Sequence, residues 1–366
     1  MINPNAPAKL SETCESGTQI TYDAGAIDQI PSLIGDRQYC VVICGGPFFA
    51  ALTDTLAGNS HPPVIVIDDV VPNPDFALLA TQAARFASLP VQPEVILALG
   101  GGSVIDTAKV LASANGGFAN VETFLVSNTG EENLTAIPII AVPTTAGTGS
   151  EVTCWATVWD NSSKKKYSLN RPALYPEHAV IDPELMLGKS RALTISTGLD
   201  ALSHALESIW NVNASEASAR CAVNAALEIL EVLPMLVEDP GSLELRARMA
   251  GASLMSGMAF SKTKTAIAHS ISWPISLHHN VIHGIACSFT LPIVLKSMAG
   301  DEGLCGKSLK QIFGEDLSSA PRQMTDFLTS LGVSTHPKDH GVSPEEWVGI
   351  VDQAFMGGRG LNFIGT

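Results

Sequence analysis

The chain has 366 residues, 46% hydrophobic and only 16% charged, which excludes a disordered polypeptide and supplies more than one substantial core. At roughly 100–200 residues per domain, that length points to two domains. The formal net charge of -15, with no basic tract beyond Lys164–Lys166, argues against nucleic acid or an anionic membrane as a partner.

The opening stretch, MINPNAPAKLSETCESG, lacks the apolar core of a secretory leader. No run of about 18 apolar residues follows that could span a bilayer. The seven cysteines (Cys14, Cys40, Cys44, Cys154, Cys221, Cys287, Cys305) are odd in number and scattered, without a CxxC pair. That argues against a disulfide framework and against a thiolate zinc site. The expected compartment is a reducing cytoplasm.

From about residue 18 to 182, short apolar runs alternate with helical stretches. CVVICGG (40–46), VIVID (64–68), EVILALGGG (94–102), IPIIAVPTT (137–145) and HAVID (178–182) are rich in Val and Ile and end in Gly, Pro, Asp or Thr, so each reads as a buried strand. Phe48–Ala57, Phe76–Ala87 and Ser103–Ala114 have helix-compatible composition. The alternation predicts an α/β domain with a mostly parallel sheet covered on both faces. WATVWDNSSKKKYSL breaks the pattern and reads as a hairpin around a polar Asn-Ser-Ser turn.

After about residue 190 the strands stop, and an all-α domain is expected. Ser196–Trp210, Ser215–Leu236, Ser242–Ala259, a helix near Ala266–Ser272, His283–Met298 and three shorter helices ending in EEWVGIVDQAF make up the rest. Pro240 and Gly241 mark one of the breaks. The expected division is residues 1–190 and 191–366, with a ligand cleft between the two halves.

EVILALGGGSVIDTAK places Gly100, Gly101 and Gly102 between a strand and a helix. Glycines there let backbone N–H groups approach a phosphate, and the helix N-terminus adds positive potential. Ser103 can cap that helix or donate to a phosphate oxygen. The run matches neither GxGxxG nor GxxxxGK[ST], so a ligand-free turn is the competing reading. VPTTAGTGSEVT, directly after another strand, carries Thr144, Thr145, Thr148 and Ser150. Small and hydroxylated residues at two strand carboxyl ends favour a nucleotide site.

Asp200 and His204 are four residues apart in a predicted helix and share a face. His269 and His283 follow in the same half. One carboxylate and three imidazoles suit Fe(II) or Zn(II). Asp200 and His269 both lie in apolar runs, where an unpaired polar group is costly and a metal would satisfy it. A helix-stabilising Asp–His pair is the alternative. His278 and His279 are adjacent, so at most one faces such a site. They could line a substrate pocket or sit in an exposed loop.

VVPNP (70–74), GGGSVIDTAK (100–109), PTTAGTGSEVT (143–153), Lys165–Lys166, IDPEL (181–185), GLDALSHALE (198–207) and IHG (282–284) together resemble the iron-containing, or group III, alcohol dehydrogenase family. The resemblance implies a Rossmann-like NAD(P) domain, a helical metal-binding domain, dehydroquinate synthase-like architecture and a homodimer. It implies Asp200, His204, His269 and His283 as metal ligands, with Gly101, Gly102 and Ser103 on the pyrophosphate. It places Asp106, Lys109, Thr144, Thr145, Thr148 and Ser150 toward the nicotinamide, Asn73 and Pro74 toward the adenosine, and Lys166 among the cofactor-binding residues.

Two positions depart from the family pattern. Trp273 stands where many members carry a proton-relay histidine, leaving water, the cofactor ribose or His279 for that role. Gly45 stands where NAD-preferring members carry an acidic residue, which leaves both NAD and NADP open. AIAHSISWPIS and HGIACSFTLP resemble a branch that includes phosphonoacetaldehyde reductases, which makes a small anionic aldehyde a reasonable substrate. The expected activity is hydride transfer between NAD(P)H and a small aldehyde or ketone at Fe(II) or Zn(II). The alternatives are a carbon–oxygen lyase of the dehydroquinate synthase type and a non-catalytic sensor.

Overall fold

The computed structural model describes residues 17–58 and 61–365, so Cys14 and most of the opening stretch lie outside the described residues. The chain forms two compact units, and the described part of the first comprises residues 17–145 and 150–185 apart from 59 and 60.

The first unit is built on six parallel strands: β1 (Gln19–Tyr22), β2 (Tyr39–Cys44), β3 (Ile65–Val70), β4 (Val95–Gly100), β5 (Ile139–Pro143) and β8 (His178–Ile181). Their order across the sheet is β1-β8-β5-β4-β2-β3. β6 (Trp155–Asp160) and β7 (Lys165–Asn170) form a separate antiparallel hairpin. The helices are α1 (Ile30–Ile34), α2 (Pro47–Gly58), α3 (Phe76–Ala87), α4 (Gly102–Ser113) and α5 (Phe118–Ser127).

The period-2 pleat sorts the strand residues onto two faces. Cys40, Val42, Ile96 and Ala98 join Leu79, Phe86, Ile105 and Phe118 in one core. Tyr39, Val41, Ile43, Leu97 and Leu99 join Ile30, Ile34, Phe49 and Leu56 in the other. Both faces are therefore buried, which is why these strands read as unbroken apolar runs.

The five predicted strands and the hairpin are all present. β1 went unpredicted because QITY is short and half polar, and its strand character comes from pairing with β8. α5 also went unpredicted. Its helix is held by Phe118, Val121 and Phe124 on one buried stripe.

The described part of the second unit, residues 146–149 and 186–365, is built from helices. Its helices are α6 (Arg191–Ile209), α7 (Glu216–Glu238), α8 (Leu243–Thr263), α9 (Ile267–His279), α10 (His283–Ser288), α11 (Leu291–Met298), α12 (Leu304–Phe313), α13 (Ala320–Ser330) and α14 (Pro344–Met356). Serines start several of them. Ser190 accepts from Leu193 N, Ser242 accepts from Leu245 N, and Ser215 forms a reciprocal capping box with Ser218.

α6 begins five residues earlier than its apolar pattern suggests, because Ser190 rather than a later hydroxyl caps it. The predicted helix over 283–298 is instead two, α10 and α11, with Pro292 in the first turn of α11. α6 is the centre of this unit and packs against α7, α8 and α10.

Candidate metal centre and cofactor loops

Because α6 is surrounded, polar residues on it are carried into the interior. Asp200, His204 and Glu207 follow one another at helical spacing, and all three are buried. His269 enters from the first turn of α9 and His283 from the first residue of α10. The three imidazole Nε2 atoms converge on Asp200 Oδ1: His269 at 3.4 Å, His283 at 3.7 Å and His204 at 3.8 Å.

None of these approaches is a hydrogen bond of normal length. Asp200 Oδ1, His269 Nε2 and His204 Nδ1 are buried without any hydrogen-bond partner. Buried orphans are unusual and costly, and a divalent cation at this point would satisfy Asp200 Oδ1 and His269 Nε2 together. His204 presents Nε2 to the same point, so its Nδ1 is not met by that ion. The spacing fits as well. Ligands about 2.1 Å from a tetrahedral metal sit roughly 3.4 Å from each other.

Glu207 stands behind His269. Its Oε1 accepts from the His269 backbone N–H at 3.0 Å, and its Oε2 lies 2.5 Å from His269 Nδ1. With Nδ1 engaged by Glu207, Nε2 is the nitrogen left to face Asp200. The His204 ring is stacked between Phe260 and His269, at centroid distances of 4.0 and 4.6 Å.

Charge in this cluster follows from the same contacts. Burial alone would raise the Asp200 carboxyl, but the His204, His269 and His283 imidazoles hold it well below the usual carboxylate range. Burial pushes His204 down to about 4, so that ring is neutral at physiological pH. Burial opposes charge on His269 as well, but Cys287, Glu207 and Asp200 raise it well above the ordinary imidazole value, so that ring must release its proton to bind a metal.

Cys287, one turn after His283, brings a sulfur into the cluster. The donor atoms of Asp200, His269, His283 and Cys287 all lie within 4.8 Å of one another. The absence of CxxC spacing spoke against a thiolate zinc site, but that spacing carries no information about a single cysteine supplied by a helical turn. Glu207 and Cys287 are the two residues that ligand-by-ligand reading passes over. Both were visible as spacings: Glu207 is three residues beyond His204, and Cys287 is four beyond His283.

α9 also carries Trp273, one turn beyond His269, and its indole Nε1 is buried without a partner. At the end of α9, His279 Nε2 lies 2.7 Å from Glu346 Oε1 of α14, while His278 is exposed. That contact engages Nε2 of His279, one of the groups expected to relay a proton. The position Gly284 is dictated by closeness: a Cβ there would lie 1.8 Å from the Ser196 carbonyl oxygen.

In the first unit, the predicted cofactor residues divide into two groups. Gly101, Gly102, Ser103, Thr144, Thr145 and Asn73 lie at or just beyond the carboxyl ends of β3, β4 and β5. β2 and β4 are neighbours whose onward connections leave in opposite directions, so this edge includes the sheet's switch point. Gly101 is the N-cap of α4 and offers no side-chain oxygen to its first turn. Asn73, in left-handed backbone, donates its N–H to Ser103 Oγ at 3.3 Å. The Pro74 carbonyl accepts from Trp159 N at 2.9 Å, tying that segment to the hairpin.

The second group is turned inward. Lys109 is fully buried and donates to Ser150 O, Ser150 Oγ, Thr153 Oγ1 and Trp155 O at 2.7, 3.0, 3.3 and 2.9 Å. Asp106 accepts from Ser150 Oγ at 2.7 Å and from Thr157 N at 2.9 Å. Burial brings Lys109 down to about 8 and raises Asp106 from the ordinary carboxylate value. Asp106, Lys109 and Ser150 thus fasten α4 to the loop and hairpin. Lys166 pairs with Trp159 across the hairpin, its Nζ 5.3 Å from the indole centroid.

Thr148 belongs to the short 146–149 stretch of the second unit. There Gly149 has φ 59°, and a Cβ on it would come within 2.5 Å of Gly257 Cα. Backbone packing therefore accounts for this glycine.

A family model described as iron-containing alcohol dehydrogenase matches residues 17–183, and the C-terminal model of the Fe-containing alcohol dehydrogenase family matches residues 194–363. The chain belongs to the iron-containing alcohol dehydrogenase family. It is similar to the 1-propanol dehydrogenase PduQ of Citrobacter freundii, 31% identical over 78% of this chain and 73% of that protein. A phosphonoacetaldehyde reductase of Streptomyces viridochromogenes is 33% identical over 69% of this chain and 64% of its own. Among solved structures, a sulfoacetaldehyde reductase from Bifidobacterium kashiwanohense in complex with NAD+ is similar over 95% of this chain and 93% of that one. Its TM-score is 0.85 at 27% identity. Members of the iron-type family are dehydrogenases and reductases of alcohols and aldehydes, and this chain is an oxidoreductase of that class. The family implies iron and a nicotinamide cofactor.

Proposed function

We propose that this enzyme reduces a small anionic aldehyde with NADH, and oxidises the matching alcohol in reverse, using Fe(II) held by Asp200, His204, His269 and His283. The observation that carries this reading is the convergence of three imidazole nitrogens within 3.4–3.8 Å of one buried, hydrogen-bond-free carboxylate oxygen. Iron held there would supply Lewis acidity toward a carbonyl oxygen, and Zn(II) could serve the same donor set. Glu207 orients His269, and burial keeps His204 neutral and available.

On the first unit, Gly101, Gly102, Ser103, Asn73, Thr144 and Thr145 would bind the dinucleotide through backbone N–H and hydroxyl groups at the start of α4. Asp106, Lys109 and Ser150 act as positioning residues that hold this loop in shape. Thr148 and Lys166 are proposed as further cofactor contacts. NAD is taken as the cofactor on the likeness to a sulfoacetaldehyde reductase solved in complex with NAD+.

Two features support an anionic substrate. The orphaned Trp273 N–H lies on the α9 face that carries His269. The Arg359 guanidinium interacts electrostatically with Glu207 and Cys287, so a cation stands near the centre. The likeness to phosphonoacetaldehyde and sulfoacetaldehyde reductases points the same way. We further propose that the enzyme works as a homodimer in the cytoplasm. No described helix is long and apolar enough to cross a membrane, and the described cysteines form no disulfide.

The test is a panel of phosphonate, sulfonate, carboxylate and uncharged aldehydes with NADH and NADPH, after anaerobic loading with Fe(II). Turnover of an anionic aldehyde with NADH is expected. Retained activity in the Asp200→Ala, His269→Ala double variant would sink the metal-centre reading.

A further inference from the structure

We propose that Cys287 is a donor of the metal centre, so that this chain holds its ion with a thiolate beside the carboxylate and imidazoles. The inference rests on the metal-centre reading above and extends it to a residue outside the expected ligand set.

Three observations place the sulfur there. Cys287 shares the one group of potential ligands found among the described residues, with its sulfur, Asp200, His269 and His283 all within 4.8 Å. Asp200 and His269, each only 5% exposed, direct partnerless atoms into the same space. The sulfur lies 3.6 Å from His283 Nε2 and 3.7 Å from Nδ1. The sulfur thus stands against the ring of a proposed donor, within reach of both its nitrogens.

Chemistry favours coordination over an inert thiol. Cys287 is 0% exposed, so solvent is not its partner. On binding, the S–H bond breaks, a metal–sulfur bond forms and the proton passes to buffer; no oxidant is involved. One carboxylate and one thiolate balance a divalent ion, and the softer donor biases the site toward Zn(II) and Co(II) over harder ions such as Mg(II).

The test uses the full-length protein loaded with Co(II) alone. One cobalt per chain is expected, with a thiolate-to-cobalt charge-transfer band in the near ultraviolet. In Cys287→Ser and Cys287→Ala the band should vanish while visible ligand-field bands persist. Chelator competition should show affinity weakened about 10–100-fold. If either variant fails to fold by circular dichroism, the wild-type spectrum decides. One bound cobalt with ligand-field bands but no charge-transfer band overturns the proposal and leaves the metal centre standing. A band that survives in Cys287→Ala also overturns it. Failure of the wild type to bind cobalt overturns both.

Discussion

Glu207 holds His269 at two points, accepting the backbone N–H with Oε1 at 3.0 Å and meeting the ring Nδ1 with Oε2 at 2.5 Å. One carboxylate on α6 thus fixes both where α9 begins and which way its imidazole faces. Glu207→Gln keeps the volume but loses the charge that stabilises this ring orientation. Metal affinity should fall about 10–100-fold, read by chelator competition, with little change in helix content. Unchanged affinity would show that His269 is positioned by packing alone.

Gly284→Ala should disturb the same centre from the other side. Its new Cβ would lie 1.8 Å from the Ser196 carbonyl oxygen, so α10 must move off α6 and carry the adjacent His283 with it. A loss of about 1–3 kcal/mol in denaturant unfolding is expected, together with weaker metal binding. Wild-type affinity in a stably folded variant would mean that His283 tolerates the shift.

Lys109→Met removes four donated bonds at once and leaves the Ser150 and Trp155 carbonyls and the Asp106 carboxylate buried. The expected cost is about 3–5 kcal/mol, because an uncompensated buried charge stays behind. Thermal unfolding measures it. Lys109→Arg should not rescue, since no space is left around a fully buried lysine. A variant as stable as wild type would return Lys109 to the list of direct cofactor ligands.

Glu151 gives a pH signature. Burial raises its carboxyl to about 7, against opposing contributions from its own backbone hydrogen bond and Lys109. The folded state therefore binds a proton that the unfolded state releases between about pH 4.5 and 7. Its contribution to stability is complete below that window and is lost as pH rises through it, by up to about 3 kcal/mol. Glu151→Gln should flatten this fall in melting temperature and leave the variant the more stable of the two at pH 8. Parallel curves for the two proteins would count against it.

The sheet was legible because parallel strands buried on both faces must be apolar throughout, as in VVIC and VILAL. The convergence of Asp200, His204, His269 and His283 was legible because they are polar residues set in apolar helices, a pattern that needs a reason. β1 was not, since its four residues become a strand only through β8. Asp106, Lys109 and Ser150 illustrate a different gap. Their residue types suit a cofactor cleft and an internal brace equally well, and only the distances from Lys109 Nζ show the brace. Cys287 stands one helical turn beyond His283 in the sequence, but only the packing of α10 against α6 brings it to Asp200.

The orphaned atoms of Asp200 and His269 have a consequence beyond catalysis. A folded chain that lacks its ion keeps buried groups unsatisfied, whereas the unfolded chain hydrates them. Bound metal therefore adds to folding free energy, by about 2.7 kcal/mol when the free ion is at 100 times its dissociation constant. Melting temperature becomes a gauge of ion supply. In a cell short of iron, the unfilled molecules are the ones that open and meet proteases first, so scarcity would thin the enzyme's population as well as silence it.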